Sequence, residues 1–315
     1  MRVNLRLLAP QSRRLLLHVG TVKTGSTSLQ AYFAEHQQAL AEVGWCYLPA
    51  AGRPDRRDLA AACISIDDQR DELLRARCLV EPQQRLAFRQ QVRAELEAQL
   101  KALPAELGVI LSSEHFHLSL QRPEEIQTLK QLLLELGFEV QQVVIYLREP
   151  LALIESLFST MVRAGDQRPL PADPTDSFVQ LICDHPASLQ RWRQVFGEGV
   201  VQARLFPPRA GMSLSADFLQ LLGSAPAAGW PAEPRRQRNR GLNPQALQFL
   251  AWLNRHCPWL TPQSRRRWQR ALRRLLDGAL SRCCSGSYRM PEQQRSRYAQ
   301  RFSDGYQAVL EHDTP

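Results

Sequence analysis

The stretch that decides the fold runs from residue 13 to residue 30 and reads RRLLLHVGTVKTGSTSLQ. Its first half is a short apolar run ended by a glycine, which is typical of a buried parallel strand. In its second half, Gly20 and Gly25 have the GxxxxG spacing of a loop whose backbone N–H groups face an anion at the start of a helix. The stretch therefore predicts a strand, an anion-binding loop and a helix, in that order.

The chain beyond this stretch predicts further strands and helices in alternation. Apolar runs predict strands at 107–112, 140–147 and 200–206, and helical patterns cover 26–43, 83–102, 123–136, 150–163 and 177–196. This alternation predicts an α/β protein with a parallel sheet covered by helices on both faces. Such sheets bind ligands at the carboxyl ends of their strands, so we expect the functional residues directly after each strand.

Composition and charge exclude several classes of protein. Hydrophobic residues make up 44% of the 315 residues and charged residues 23%, which is ordinary for a globular chain and too apolar for a disordered one. The net charge of +9 is local, because residues 235–301 hold 16 arginines and two acids. The seven cysteines show no CxxC spacing and predict reduced thiols in a cytoplasmic protein.

The lysine of the first loop stands in an unusual place. Nucleoside triphosphatase loops end in G-K-[ST]. Here Lys23 precedes the second glycine by two residues, and Ser26 and Thr27 follow it. A lysine in this position would reach the bond being broken instead of bridging two phosphates, which indicates a different anhydride as the ligand.

Residues 20–30, GTVKTGSTSLQ, resemble the 5′-phosphosulfate-binding loop of sulfotransferases that use 3′-phosphoadenosine 5′-phosphosulfate (PAPS). The family core K-[TS]-G-[TS]-[TS] is present, with Ser26 where threonine is commoner. The resemblance is to the bacterial and carbohydrate sulfotransferases, and it implies a P-loop NTPase-like three-layer fold with a central parallel sheet flanked by helices. It assigns the 5′-phosphosulfate to Thr21, Lys23, Thr24, Gly25, Ser26 and Thr27, with Lys23 catalytic.

A second motif follows the strand predicted at 140–147. The family binds the 3′-phosphate of PAPS with an arginine and a serine in the pattern R-x-P-x5-S, and Arg148, Pro150 and Ser156 match it. An arginine suits this task because its planar guanidinium binds phosphate through two hydrogen bonds. The motif is weak in isolation, but it stands at the expected strand end after the expected first loop.

The strand at 107–112 leads into the polar segment Ser112-Ser113-Glu114-His115-Phe116-His117. Transfer to a hydroxyl requires a base that removes the acceptor's proton. On an extended chain, Glu114 would point away from His115 and His117. The resemblance favours Glu114 as the base, with His115 as the alternative; a third interpretation is that the cluster only orients the loop. No third ligand accompanies the two histidines, so no metal site is predicted.

The arginine-rich C-terminal segment carries weaker signals. The resemblance implies a basic loop over the nucleotide late in the chain, for which Arg238, Arg240 and Gly241 are candidates. Residues 263–280 predict a basic amphipathic helix with Trp268, Leu272, Leu275 and Ala279 on one face. Such a helix is commonly a solvated surface. It could also bind an anionic acceptor or make peripheral membrane contact, whereas no motif for nucleic acid is present.

We therefore expect an α/β domain over residues 1–255 and a basic helical extension over 256–315 packed on it. The expected activity is transfer of the sulfuryl group from PAPS to a hydroxyl or amine of a small-molecule, carbohydrate or lipid acceptor. Nucleic acid is not expected as a partner, and no membrane-spanning segment is expected. The alternatives are an ATP-dependent kinase of the P-loop type and a non-catalytic anion-binding protein.

Overall fold

The computed structural model describes residues 12–68, 71–167, 172–208, 212–223, 242–262, 264–284 and 286–312. The chain divides into two compact units. The first is drawn from residues 1–147, 186–233 and 311–315, and the second from residues 148–185 and 234–310.

The first unit is built on a five-stranded parallel sheet. Its strands are β1 (Arg13–Val19), β2 (Trp45–Tyr47), β3 (Gly108–Ser113), β4 (Phe138–Arg148) and β5 (Val201–Phe206), in the spatial order β2-β3-β1-β4-β5. Val19 lies opposite Ser113 of β3 and Ile145 of β4, so β1 and β3 end together at one edge and β4 continues for three residues. The predicted α/β class with a central parallel sheet is confirmed.

The helices, in chain order, are α1 (Ser26–Glu35), α2 (Gln37–Glu42), α3 (Arg57–Cys63), α4 (Glu72–Ala76), α5 (Pro82–Lys101), α6 (His115–Ser119), α7 (Pro123–Glu135), α8 (Pro150–Arg163), α9 (Ser177–Cys183), α10 (His185–Phe196), α11 (Leu214–Leu219), α12 (Pro244–His256), α13 (Arg267–Cys283) and α14 (Glu292–His312). None of the helices in the described part of the chain combines the length and the apolar composition that a bilayer span requires.

Two predicted helices are each divided in two by a single residue outside the helical conformation. The helix predicted over 26–43 breaks at His36, where φ is −119° and ψ is 35°. The helix predicted over 177–196 breaks at Asp184, and the proline that follows at position 186 is tolerated because it lies in the first turn of α10. The three-residue strand β2 was not predicted, since it is too short to show a periodic pattern.

The core of the first unit explains why β1 reads as a continuous apolar run. Five consecutive residues, 15–19, are buried, and this requires cover on both faces of the sheet. On one face, Leu16 of β1 and Ile110 of β3 pack in a cluster with Leu29 and Phe33 of α1. Helix α1 is therefore held against the sheet directly after the loop that connects it to β1.

The second unit is helical in its described residues. Leu247 and Leu250 of α12 pack in a cluster with Val162 at the end of α8, and side chains of α13 contact the same cluster. The Glu149 carboxylate accepts hydrogen bonds from the backbone N–H groups of Leu151 and Ala152, and it thereby caps α8 at its start.

Candidate active site

The loop between β1 and α1 is tied to the two strands beside β1. The Gly20 N–H donates to the Ser113 carbonyl of β3 at 3.0 Å, and the Thr21 hydroxyl donates to the Tyr146 carbonyl of β4 at 2.6 Å. Within the loop, the buried Thr24 hydroxyl donates to the Thr21 carbonyl at 2.7 Å. The two threonine side chains are thus used to fix the loop's shape.

Two residues of the loop adopt left-handed backbone conformations. Gly25 has φ of +81°, and a Cβ atom at this position would lie 2.7 Å from a side-chain carbon of Leu214 and 3.1 Å from the Phe206 ring, so only glycine fits. Lys23 also has a positive φ, +62°, which costs a non-glycine residue about 1 kcal/mol. Such backbone strain is a recurrent mark of functional sites.

The N-terminus of α1 offers hydrogen-bond donors without a built-in acceptor. Gly25, which precedes the helix, supplies no capping side chain, and the first turn contains no acidic residue. The Ser26 hydroxyl is buried, and it has no hydrogen-bond partner among the residues that the structure describes. The first N–H groups of a helix also lack intrahelical partners. These N–H groups and the Ser26 hydroxyl together form a cradle that can bind an anionic oxygen.

Gly20 lies on the other side of this cradle, next to Ser26 and Glu114. A Cβ atom there would collide with the Ser26 hydroxyl and would lie 3.2 Å from the Glu114 Cα. The start of α1 and the end of β3 therefore approach each other across a glycine. This contact brings the residue proposed as the base, Glu114, next to the loop that carries Lys23.

The segment after β3 does not stay extended, so the alternation that an extended chain would give Glu114, His115 and His117 does not apply. The Ser113 hydroxyl accepts a hydrogen bond from the His115 N–H at 3.1 Å, and helix α6 begins at His115 with Glu114 as the residue before it. The reason is local, because a serine hydroxyl competes for backbone N–H groups and favours helix starts.

Three charged side chains act on the Glu114 carboxyl. Burial and the negative charge of Asp55 raise the pKa of Glu114, whereas the positive charges of Lys23 and Arg57 lower it. The pKa of Glu114 is raised overall, with burial as the largest cause. A carboxylate whose pKa lies above its usual value is a stronger base, and it is a frequent feature of catalytic sites.

His115 belongs to the same environment. Burial and the charge of Arg57 lower its pKa, and nearby carboxylates, Asp55 among them, oppose the shift. The imidazole is therefore neutral at pH 7 and able to accept a proton. Both predicted candidates for the base, Glu114 and His115, are thus brought to the end of β3.

Asp55 and Arg57 also belong to this site, although no motif in the sequence points to them. The chain before α3 passes the end of β3, where the Arg56 N–H donates to the Ser112 carbonyl at 3.0 Å. Asp55 is held there because its carboxylate accepts a hydrogen bond from the Ser113 hydroxyl at 3.0 Å. No pattern in the segment RPDRRD predicts this contact, since it joins residues more than fifty positions apart.

The two histidines of this segment, His115 and His117, lie in different surroundings. His117 is buried, and its Nε2 lies 3.0 Å from the Ser188 hydroxyl. Over the described ranges, no group of three or more His, Cys, Asp and Glu side chains is arranged to hold a metal ion.

The residues predicted to bind a 3′-phosphate lie where the motif places them along the chain. Arg148 is the last residue of β4, and its carbonyl accepts a hydrogen bond from His185 Nε2 at 2.7 Å. Burial lowers the pKa of Arg148 and Glu149 raises it, and a guanidinium stays charged at neutral pH. Ser156 is partly exposed, about two turns into α8. Arg238, Arg240 and Gly241 lie outside the described residues.

Comparisons with known proteins add no further information about this site. The chain matches no protein-family model, and no curated protein matches it at a significant level. A functional conclusion therefore depends on the residues of the chain and on their geometry.

Proposed function

We propose that this protein is a PAPS-dependent sulfotransferase that moves a sulfuryl group to a hydroxyl or amine of a carbohydrate or lipid acceptor. The observation that carries the proposal is the cradle at the start of α1. Three features meet around this one loop: the buried Ser26 hydroxyl, which has no partner among the described residues, the strained backbone of Lys23, and the Glu114 carboxylate, whose pKa is raised.

The loop residues would bind and polarise the donor. PAPS would supply the sulfuryl group, with 3′-phosphoadenosine 5′-phosphate as the other product. The Ser26 hydroxyl and the first N–H groups of α1 would donate to its 5′-phosphate, while Thr21 and Thr24 hold the loop in shape. Lys23 would stabilise the negative charge that develops at the bridging oxygen, a role that depends on position and charge.

Glu114 would accept the proton of the acceptor hydroxyl. Its carboxyl is largely withdrawn from water, and Asp55 raises its pKa further, so that the carboxylate binds a proton more tightly than an exposed one would. Lys23 opposes this effect, because its positive charge lowers the pKa of Glu114 and so favours the carboxylate form. His115, which is neutral, is the alternative base.

The 3′-phosphate is assigned to Arg148 and Ser156 by the resemblance. The support for this assignment is the placement of the pair, with an arginine at the end of β4 and a serine about two turns into α8. The buried His185 holds the Arg148 carbonyl, and the planar guanidinium of an arginine can bind two phosphate oxygens at once.

The decisive experiment has a binding arm and a transfer arm. Calorimetry with 3′-phosphoadenosine 5′-phosphate tests the nucleotide site, and transfer of labelled sulfate from PAPS to carbohydrate, lipid and phenol acceptors tests the activity. We expect Lys23→Ala and Glu114→Gln to abolish transfer, and Lys101→Ala, which alters an exposed lysine at the end of α5, to leave it unchanged.

Four results would contradict the proposal or a part of it. Absence of nucleotide binding by the wild type would remove the whole assignment, and equal turnover by Glu114→Gln would remove only the base. Transfer of labelled phosphate from ATP in the presence of Mg²⁺ would establish the kinase alternative instead. Nucleotide binding that Lys23→Ala leaves intact, without any turnover, would favour a non-catalytic anion-binding protein.

A further inference from the structure

Exposed apolar side chains are concentrated in one part of the second unit. Among the described residues, ten large apolar side chains are exposed, and six of them lie between positions 249 and 275: Phe249, Trp252, Trp259, Trp268, Leu272 and Leu275. Single exposed apolar residues are ordinary on protein surfaces. A concentration of tryptophan and leucine marks a surface that contacts something other than water.

Four of these residues form what we term the α13 stripe: Trp259, Trp268, Leu272 and Leu275. The last three follow one another at intervals of four and three residues, so they lie on the same side of helix α13. The Trp259 ring approaches the Trp268 ring with 6.2 Å between centroids. Leu275 is 69% exposed and Trp268 is 54% exposed, so the stripe faces solvent along about two turns of helix.

The opposite side of α13 is fixed by a buried arginine. Arg273 is 1% exposed, and its guanidinium donates to Asn254 Oδ1 at 2.7 Å and to the Asp277 carboxylate at 3.1 Å. The same guanidinium donates to the carbonyls of Leu260 and Val162. Rotating α13 to bury its apolar stripe would leave these polar groups unpaired, so the outward orientation of the stripe is built into the packing.

Positive charge borders the stripe. Arg267, Arg274 and Arg282 are exposed, and their helical spacing places them along one flank of it. The only acid of α13, Asp277, is paired with Arg273 on the other side. A second copy of the chain docked through this stripe would bring like charges together, which opposes a symmetric dimer.

We propose that the α13 stripe is a docking surface for an anionic lipid bilayer. The leucines would enter the boundary between headgroups and acyl chains, the tryptophans would lie at headgroup level, and the arginines would bind lipid phosphates. Helix α13 would lie in the plane of the membrane. This surface is independent of the proposed transfer activity and does not require it.

Vesicle sedimentation of the full chain tests this proposal. We expect binding to phosphatidylcholine vesicles that contain phosphatidylglycerol, weak binding to phosphatidylcholine alone, and a decline of binding as salt rises. Replacing both leucines of the stripe, Leu272→Ser with Leu275→Ser, should weaken binding about tenfold or more. A matched control, Leu86→Ser with Leu134→Ser, alters two exposed leucines outside the second unit and should bind as the wild type does.

Other outcomes would overturn the proposal. Absence of wild-type binding to the anionic vesicles would do so directly. Equal binding by the stripe variant would show that the arginines attract polyanions in general and that the stripe has no part. Sedimentation velocity provides a further test: a wild-type dimer that the stripe variant converts to a monomer would make the stripe a protein interface. Arg274→Gln with Arg282→Gln should lower vesicle binding by itself and so tests the charge separately.

Discussion

The Ser26 hydroxyl allows a prediction in which stability and ligand binding change in opposite directions. In the described part of the chain this buried oxygen has no hydrogen-bond partner, and an unsatisfied buried polar group costs about 1 to 3 kcal/mol. Ser26→Ala removes that cost and loses the packing of one oxygen atom. We therefore expect the ligand-free protein to gain about 1 kcal/mol, which raises the melting temperature by about 2 °C.

The same substitution should weaken nucleotide binding. A hydroxyl that donates to a charged phosphate contributes about 1.5 to 3 kcal/mol, so the affinity for 3′-phosphoadenosine 5′-phosphate should fall by about tenfold to about a hundredfold. Thermal unfolding monitored by circular dichroism and isothermal calorimetry measure the two effects on one preparation.

A matched control separates this role from a structural one. Ser119 is also a buried serine, but its hydroxyl donates to the Asp71 carboxylate at 2.8 Å. Ser119→Ala should therefore destabilise the protein by about 2 kcal/mol, because it leaves a buried carboxylate oxygen without this donor. If Ser26→Ala destabilises the protein as Ser119→Ala does and nucleotide affinity is unchanged, the cradle at α1 is not an anion site and the reasoning fails.

Three further predictions concern charge and backbone geometry. Asp55→Asn removes the negative charge that raises the pKa of Glu114, so the acid limb of a transfer-rate profile should move to lower pH; a shift to higher pH would contradict the assignment. Arg273→Met leaves Asp277 unpaired and should lower the free energy of unfolding in urea by about 3 kcal/mol. Gly25→Ala forces a Cβ atom into a leucine of α11 at a left-handed position, and calorimetry should show loss of nucleotide binding.

The sequence predicts well those features of the fold that are local. The continuous apolar run of β1, the loop glycines and the proline at the start of α8 each have a short-range physical cause, and each lies where the pattern predicts it. The break at His36 escapes prediction because the helical pattern continues on both sides of it. The turn into α6 was missed for another reason: the Ser113 hydroxyl captures the His115 N–H, and alternation of side chains carries no information about that bond.

The environment of the candidate base could not be predicted, because it depends on contacts between distant parts of the chain. Asp55 acts on Glu114 only because the backbone at Arg56 joins the end of β3. Sequence resemblance supplied Lys23 and Glu114 as separate residues, and the fold adds the Asp55 charge that opposes Lys23. Burial is the largest cause of the raised pKa of Glu114, and the charge that adds to it, Asp55, comes from a segment without a recognisable motif.

Helix α13 is a second case in which the sequence pattern alone does not determine how the chain packs. The pattern of Trp268, Leu272 and Leu275 predicts an amphipathic helix, but it does not predict which side packs. Packing is decided by Arg273, whose guanidinium satisfies acceptors on α12 and at the end of α8, and this leaves the apolar side in solvent. The arginines of α13 therefore have two roles. The buried Arg273 fixes the orientation of the helix, and the exposed arginines attract an anionic partner. A variant that removes Arg273 should consequently lose stability, whereas variants at Arg274 and Arg282 should lose vesicle binding and keep their melting temperature.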